Sequence, residues 1–450
     1  MNKKPNVIFI FSDQQRWDTM GCYGQELDVT PNLDRMAKEG VLFENAFTCQ
    51  PVCGPARACL QTGKYATEIG CFRNNVALPQ DHKTLAHWFS EADYSLSYIG
   101  KWHLASTGGL ADIDIGPEMN YQTEPIPLEQ RGGWKDYWLA SDLLEFTSHG
   151  FEGHMFDGNM NKVEFQGYRV DKQTDFILEY LKNREDEEDP FFLFTSFLEP
   201  HHQNDQNKYV GPKNSREKFA DYKVPGDLKG TEGDWKENYP DYLGCCHSID
   251  KNVGRILKEL ENQGIDEETI IIYTSDHGSH FRTRNGEYKR ACHEGCTHIP
   301  MLIRGPGFKG GKRIEELVSL IDLPTTLLKS AGLKVPEYMQ GYPLQELVEG
   351  NVERWRDEVF IQISESHTGR AIRTKRWKYS VRAPGKDGRI YSKSNIYVED
   401  FLYDLKKDPH EKNNLVDDPE YVQVREELSA KLKQRMKDAN EKSPKIISAD

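Results

Sequence analysis

The segment spanning residues 51–65 places a cysteine, a proline and an arginine at alternate positions. Cys53 is followed by Pro55 and Arg57, and Gly63 comes near the end of the segment. Proline suits the first turn of a helix and glycine suits its end, so this spacing predicts a helix that begins just after Cys53. A helix N-terminus attracts anions and lowers the pKa of a nearby thiol. The segment therefore predicts a reactive cysteine in a site for a tetrahedral oxyanion.

Two pairs of polar residues are predicted to hold a divalent cation. Asp13 and Gln14 follow one apolar run, and Asp276 and His277 follow another. Two carboxylates and an amide oxygen suit Ca²⁺ or Mg²⁺, whereas the imidazole of His277 leaves Mn²⁺ or Zn²⁺ open. We expect Ca²⁺. Either pair alone is also typical of an ordinary turn, so the prediction depends on the two pairs meeting in the fold.

Further cationic and titratable side chains follow extended segments. Lys101 and His103 alternate along one such segment and can face the same side. His201 follows a third apolar run, and Lys289 lies in a loop after Asp276. Together these side chains could neutralise and protonate a bound oxyanion. Taken singly, each is equally well a solvated lysine or a hydrogen-bonded histidine, and Cys53 could simply be buried.

The elements that must position these residues are predicted to be buried strands. Four apolar runs end at or just before Asp13, Lys101, His201 and Asp276. They alternate with helical patterns, which predicts an α/β fold with a large mixed sheet sandwiched by helices. Ligands of such sheets bind at the carboxyl ends of the strands. Residues 105–165 show no clear period, and we interpret them as surface insertions that shape a pocket wall.

The pattern changes near residue 352. We predict a catalytic α/β domain over residues 1–352 and a small C-terminal α+β subdomain with an antiparallel sheet over 353–450. Residues 318–331, before this boundary, have a helical period. The predicted strands and terminal helix of the subdomain cover 359–363, 373–381, 397–403 and 420–439.

Composition excludes several classes of protein. The net charge of −14 argues against nucleic acid or an anionic membrane as a partner. The 450 residues are 37% hydrophobic and 29% charged, as in a globular protein, and no apolar run approaches a membrane span. Nine cysteines without a framework spacing indicate reduced thiols. Since the first apolar run is too short for a signal peptide, we expect a cytoplasmic protein.

The motif formed by Cys53, Pro55 and Arg57 resembles the signature of the sulfatase family. The resemblance extends over nearly the whole chain, in the order of the family's blocks, and implies the alkaline-phosphatase-like fold of the sulfatases. The matching blocks are residues 6–13, 30–34, 53–63, 100–104, 200–201, 276–278, 289–295, 299–300 and 402–414.

The resemblance implies that Cys53 is converted to formylglycine by a sulfatase-maturing enzyme and that its hydrate attacks the sulfur. The implied metal ligands are Asp13, Gln14, Asp276 and His277.

It also implies roles for five residues around the sulfate group. Arg57 would steady the hydrate, and Lys101 and Lys289 would neutralise sulfate oxygens. His103 would contact the hydrate and help to expel sulfate, while His201 would protonate the leaving alcohol. Fixed cations there would stabilise the negative charge that develops on the equatorial oxygens.

Some positions depart from the common sulfatase pattern. Gln14 and His277 replace the aspartate and asparagine of many sulfatases and resemble a subset that includes phosphonate monoester hydrolases. Asn74 lies where those enzymes carry a substrate-contacting asparagine. Lys101 and His103, in contrast, are the residues typical of sulfatases.

We therefore expect hydrolysis of a sulfate ester, with a sulfated small molecule or oligosaccharide as the substrate. Dense aromatic residues over 121–156 are typical of sugar-binding walls, and Asn74, His367 and Arg370 are predicted substrate contacts. One alternative is a phosphonate monoester or phosphodiester hydrolase with the same nucleophile. The other is a non-catalytic protein that binds sulfated glycans.

Overall fold

The structure, a computed structural model, describes residues 4–108, 118–185, 187–350, 352 and 355–449. Its strands are β1 (Asn6–Asp13), β2 (Val41–Phe47), β3 (Ser95–Lys101), β4 (Tyr137–Ser141), β5 (Glu152–Asp157), β6 (Lys162–Gln166), β7 (Phe191–Pro200), β8 (Thr269–Ser275), β9 (Met301–Arg304), β10 (Lys312–Ser319), β11 (Glu358–Ile363), β12 (Gly369–Thr374), β13 (Trp377–Arg382), β14 (Ile396–Asp404) and β15 (Lys445–Ile447).

The helices surround these strands. The α-helices are α1 (Pro31–Glu39), α2 (Cys53–Thr62), α3 (Ala66–Ile69), α4 (Leu85–Ser90), α5 (Leu144–Thr147), α6 (Arg169–Asn183), α7 (Ser215–Lys218), α8 (Trp235–Gln263), α9 (Glu294–Thr297), α10 (Asp322–Ser330), α11 (Gln345–Glu349) and α12 (Val422–Asp438). Short 3₁₀ helices cover Trp17–Thr19, Gly21–Tyr23, Leu128–Gln130, Asp266–Glu268 and Pro419–Tyr421.

The central strands consist of uninterrupted apolar residues because helices cover both faces of the sheet. In β1, Val7, Phe9 and Phe11 pack into one apolar cluster, and Ile8 and Ile10 pack into another. Helices α2, α4 and α10 contribute to the first cluster, and α1, α6 and α8 contribute to the second. The prediction of a large sheet sandwiched by helices is confirmed. Among the described helices, none is both long and apolar enough to cross a bilayer.

The larger sheet brings the predicted polar strand ends to one edge. Its strand order is β10-β2-β9-β8-β1-β7-β3-β4-β5-β6, and β8, β1, β7, β3 and β4 run parallel to one another. Strands β5, β6 and β9 pair antiparallel with their neighbours. Because parallel strands end at the same edge, Asp276, Asp13, His201 and Lys101 follow one another across four adjacent strands.

Two stretches between the core elements differ from the prediction. Residues 105–165 are not only surface insertions, because they contain β4 and β5 and most of β6, which extend the sheet; residues 109–117 lie outside the described residues. Their strands are short, and the outer ones are partly exposed, so they leave little periodic signal. Residues 318–331 combine the end of β10 with α10, and Asp322 accepts a hydrogen bond from the backbone N–H of Ser319 at the junction.

The smaller sheet has the order β11-β12-β13-β14-β15. Its first four strands are antiparallel, as predicted, whereas β15 pairs parallel with β14 and was not predicted. The single strand predicted over 373–381 is instead the end of β12, a tight turn and most of β13. In the turn, Thr374 accepts a hydrogen bond from the backbone N–H of Trp377. Residue 353, at which we predicted the subdomain to begin, lies outside the described residues.

Arg370 is a buried structural cation rather than a cleft residue. Its guanidinium lies 2.9 Å from Glu441, and the two side chains are 1% and 3% exposed. Glu441 also accepts hydrogen bonds from Thr67 and Gln362, so this pair ties the smaller sheet to the segment after α2. The prediction of a substrate contact is therefore not supported, because both ends of the pair are enclosed by protein.

Replacement of Arg370 by methionine should lower the free energy of unfolding by about 3–5 kcal/mol, because Glu441 would remain as an unpaired buried charge. Chemical denaturation measures this change. As a control, Arg389→Ala removes an ion pair whose side chains are 59% and 36% exposed, and it should leave the free energy of unfolding almost unchanged. Equal effects of the two substitutions would contradict the structural role of Arg370.

Candidate active site

Asp13, Cys53, Asp276 and His277 meet at the carboxyl edge of the larger sheet. One potential ligand atom from each side chain lies within 4.8 Å of the others, and all four residues are buried. The strand ends of β1 and β8 supply three of them, and the start of α2 supplies the fourth. Burial and the neighbouring carboxylate of Asp13 raise the pKa of Asp276 to about 6. Two carboxylates enclosed in this way need positive charge beside them.

Gln14 belongs to the same group, and its amide is held in one orientation. The amide nitrogen donates to the hydroxyl of Tyr209 at 2.8 Å and to that of Ser279 at 3.3 Å. The amide oxygen Oε1 is buried and has no hydrogen-bond partner among the described residues. The backbone of Gln14 has a positive φ of 69°, which is unusual for a residue other than glycine and marks a constrained site.

Asp276 and His277 also direct lone pairs toward this point. Asp276 Oδ1 accepts hydrogen bonds from the backbone N–H groups of Gln14 and His277, while Oδ2 has no hydrogen-bond partner in the described chain. His277 Nδ1 lies 2.9 Å from the carbonyl of Gly278, which assigns the proton to Nδ1 and leaves a lone pair on Nε2. The two unpartnered oxygens of Gln14 and Asp276, the Nε2 lone pair of His277 and the carboxylate of Asp13 fit a divalent cation.

Cys53 is the first residue of α2 and lies beside this group. Its sulfur is 2.8 Å from Lys289 Nζ and 3.2 Å from His277 Nε2. Our expectation of a lowered pKa was wrong for the thiol in this structure. Burial, followed by the carboxylate of Asp13, raises its pKa to about 12, and Lys289 and Lys101 only partly oppose this shift.

Asp13 is the counter-charge of two buried cations. Its Oδ2 lies 2.9 Å from Lys101 Nζ and 3.0 Å from Arg57 Nη2. Burial opposes ionisation, but Lys101, His201 and Arg57 together hold the pKa of Asp13 well below its usual value. Arg57 also donates to Ser196, so its guanidinium is fixed from two sides.

A cleft of about 350 Å³ opens onto the cysteine. The predicted residues that line it are Cys53, Asn74, His103, His201 and Lys289. Asn74 Oδ1 accepts a hydrogen bond from the backbone N–H of Gly54 and thereby orients toward the start of α2. His367 and Arg370, the other two predicted substrate contacts, are not among the residues that line this cleft.

The two predicted proton carriers are neutral in this environment. Burial, followed by the nearby charges of Lys101 and Arg57, lowers the pKa of His103 well below its usual value. Burial, with His202 and Lys289, does the same for His201. His201 Nδ1 lies 2.6 Å from the carbonyl of His202, so its Nε2 presents a lone pair to Lys289 Nζ at 3.3 Å.

Sequence reasoning missed several residues in and around the cleft. Glu145 pairs with Lys101 at 3.0 Å, Tyr209 orients Gln14, and His202 stacks on His201 with ring centroids 4.3 Å apart. Glu145 and Tyr209 lie in stretches without a motif. Only His202, which follows His201 directly, could have been found from its neighbour in the sequence.

Family models cover most of this chain. The model described as Sulfatase matches residues 5–333, and the model described as N-sulphoglucosamine sulphohydrolase, C-terminal, matches residues 286–438. The chain belongs to the sulfatase family. It is accordingly a sulfuric ester hydrolase, as its relatives' names also indicate. The buried acidic group with His277 fits the metal site that sulfatases generally use.

Relatives of this sulfatase align along nearly its full length. The uncharacterized sulfatase YidJ of Escherichia coli is 30% identical over 462 residues, covering 95% of this chain and 86% of that protein. The N-acetylglucosamine-6-O-sulfatase of Bacteroides thetaiotaomicron is 28% identical over 498 residues, covering 98% and 88%.

Solved structures share the fold of this sulfatase. The protein yidJ of Bacteroides fragilis superimposes with a TM-score of 0.82 at 26% identity, covering 97% of this chain and 96% of that one. The phosphonate monoester hydrolase of Agrobacterium radiobacter has a TM-score of 0.68 at 24% identity, covering 97% and 96%. The alkaline-phosphatase-like fold expected from the sequence is confirmed.

Replacement of Tyr209 by phenylalanine should weaken divalent-cation binding by about 10–100-fold, because the amide of Gln14 would lose the hydroxyl that orients it. Calorimetric titration with Ca²⁺ measures this loss. Tyr239→Phe is a matched control, since Tyr239 lies in the same aromatic cluster and its buried hydroxyl has no hydrogen-bond partner among the described residues. Equal affinities of the two variants would contradict the orienting role of Tyr209.

Proposed function

We propose that this sulfatase hydrolyses a sulfate ester on a sulfated sugar, with Cys53 matured to formylglycine and Ca²⁺ as the metal. The observation that carries the proposal is the convergence of Cys53, Lys289 and His201 at the mouth of the cation site. Lys289 Nζ lies within 3.3 Å of both the sulfur and the imidazole. A sulfate group placed in the cleft at Cys53 would therefore meet a cation and a proton carrier at once.

The metal proposal rests on the donor set. Asp13, Gln14 and Asp276 supply oxygen atoms, which Ca²⁺ prefers, and His277 supplies one nitrogen. A divalent cation held there would supply Lewis-acid stabilisation of negative charge at residue 53 and on the ester. Mg²⁺ and Mn²⁺ bind the same types of ligand atom. We propose Ca²⁺ because three of the four ligands are oxygen donors.

Formylglycine supplies, as its hydrate, one hydroxyl for attack on sulfur and a second whose deprotonation restores the aldehyde. The ion pair between Asp13 and Arg57 holds the start of α2 in place. Lys289 lines the cleft and would neutralise a sulfate oxygen directly. Lys101 is buried 2.9 Å from Asp13 and would add a second fixed positive charge next to the same group. This fixed positive charge favours the transition state over free substrate.

Two histidines complete the proton transfers in this proposal. Binding of an anionic ester favours the imidazolium form of His201, so its Nε2 gains a proton that passes to the leaving oxygen. His103 remains neutral, because burial and the neighbouring cations lower its pKa. Its free imidazole nitrogen takes the proton of the second hydroxyl as sulfate departs and leaves the aldehyde. Addition of one water molecule to the aldehyde then restores the hydrate for the next cycle.

The sugar assignment rests on the relatives and on the cleft. One relative is named as an N-acetylglucosamine-6-O-sulfatase, and two others are named as ulvan-active sulfatases. Phe146 lines the cleft and is 43% exposed, which offers a flat apolar face to a ring. We also propose that a sulfatase-maturing enzyme modifies Cys53 and that the protein acts in the cytoplasm, where its eight other thiols stay reduced. Residues 353–450 are proposed to form a subdomain.

Maturation should change the mass of the peptide that carries Cys53. After co-expression with a maturing enzyme, mass spectrometry should find the aldehyde in place of the thiol. Cys53→Ala should abolish hydrolysis of aryl sulfates while retaining the fold and Ca²⁺ binding, because the other ligands remain. Turnover by Cys53→Ala would refute the nucleophile. Glycan binding by matured protein without any turnover would instead favour a non-catalytic binder.

The phosphonate hydrolase alternative makes a different kinetic prediction. It is favoured by Gln14, His277 and Asn74 and opposed by Lys101 and His103. We expect higher kcat/KM on 4-nitrophenyl sulfate than on 4-nitrophenyl phenylphosphonate for the same matured preparation. Both reactions release the same phenol, so the comparison isolates the transferred group. Faster turnover of the phosphonate would replace our assignment with the alternative.

A further inference from the structure

Glu145 lines the active-site cleft and carries a carboxylate oxygen that has no hydrogen-bond partner among the described residues. The residue lies in α5, lines the cleft together with Cys53 and His201, and is 4% exposed. Its Oε1 accepts a hydrogen bond from Lys101 Nζ at 3.0 Å. Its Oε2 is buried and has no hydrogen-bond partner among the described residues. Buried carboxylate oxygens normally accept at least one hydrogen bond, so we expect Oε2 to accept one from a donor group of a bound molecule.

The position of Glu145 is fixed by the backbone around it. Gln203 donates to the carbonyl oxygens of Glu145 and Ser148, both at 2.9 Å. Just before α5, Asp142 accepts hydrogen bonds from the backbone N–H groups of Ala105 and Ser106, both at 3.0 Å. The helix is thus held on two sides, and Glu145 is preorganised for whatever it recognises.

The contacts of Glu145 locate the group that it would meet. Lys101 bridges Asp13 and Glu145, at 2.9 Å and 3.0 Å. A group bound at Oε2 would therefore be separated from the sulfate at Cys53 by the side chain of Lys101. Phe146, the next residue, lines the same cleft and is 43% exposed. An acceptor beside an exposed ring face suits a cyclic leaving group that carries a hydrogen-bond donor near its sulfate ester.

We propose that Glu145 recognises a hydroxyl or ammonium group on the carbon next to the sulfated one and disfavours an anionic group at that place. The carboxylate accepts a hydrogen bond from such a donor, whereas a second anion would be repelled by it. This inference rests on the proposed placement of the sulfate at Cys53. It makes Glu145 a residue that determines specificity for the leaving group, in addition to its ion pair with Lys101.

The test compares three aryl esters that share a ring and differ at the neighbouring carbon: phenyl sulfate, 2-hydroxyphenyl sulfate and 2-carboxyphenyl sulfate. For matured wild type, kcat/KM should fall in the order hydroxyl, hydrogen, carboxylate. In Glu145→Gln, the hydroxyl-to-carboxylate ratio of kcat/KM should drop by about tenfold or more, as expected for a hydrogen bond to a charged group. A role only in holding Lys101 would lower all three rates together, and an unchanged ratio overturns the proposal.

Two further measurements separate this inference from the proposed function. Phe146→Ala should lower kcat/KM for all three esters by a similar factor, because it removes only the ring contact. The hydroxyl-to-carboxylate ratio of kcat/KM should stay at the wild-type value. Dissociation constants for Cys53→Ala, with and without Glu145→Gln, test recognition without turnover. A Glu145-dependent preference for the hydroxyl ester supports the assignment even if matured wild type hydrolyses none of the esters, in which case the proposed function fails alone. Equal preference with and without Glu145→Gln overturns the assignment.

Discussion

The site depends on the ionised carboxylate of Asp13, which is buried at the end of a central strand. Burial alone would favour the neutral acid, yet Lys101 and Arg57 lie 2.9 Å and 3.0 Å from one of its oxygens. Without this partner, Lys101 would keep only Glu145 at 3.0 Å and Arg57 only Asp276 at 3.6 Å, so burial of the two cations would be much less favourable. The pairing fixes both cations beside Cys53, and it leaves the other Asp13 oxygen directed at the thiol, 3.4 Å from its sulfur.

Around this core, orientation is set by residues that do not face the cleft. Tyr209 and Ser279 hold the amide of Gln14, and the carbonyl of Gly278 determines the tautomer of His277. Asp142 holds the backbone of His103 in place, since its carbonyl oxygen accepts a hydrogen bond from the backbone N–H of His103. Such contacts explain how a set of buried polar groups stays in one geometry, because each would otherwise adopt the orientation that its own hydrogen bonds favour.

The smaller sheet reaches the same region through a buried charge network. Lys378 of β13 lies 2.7 Å from Glu294 of α9 and 3.2 Å from Glu411. Glu411 accepts the backbone N–H of Glu294, and burial, opposed by Lys378, raises its pKa to about 7. The C-terminal residues thus support the loop that carries Lys289, five residues before Glu294, instead of supplying His367 or Arg370 to the cleft.

The sequence alone determined the mixed α/β sheet and its polar strand ends, because buried parallel strands need unbroken apolar runs and ligands lie where those runs stop. It also indicated Cys53, Asp13, Gln14, Asp276 and His277 as one group, through motifs that lie close to strand ends. The strands from 137 to 166 were missed because they are short and the outer two are partly exposed, which leaves weak periodicity. The tight turn between β12 and β13 was not recognised, so the end of β12 and most of β13 were predicted as one strand. Tertiary structure alone decided the raised pKa of Cys53, the burial of Arg370 against Glu441 and the place of Glu145, because each depends on contacts between residues far apart in the chain, which no local pattern encodes.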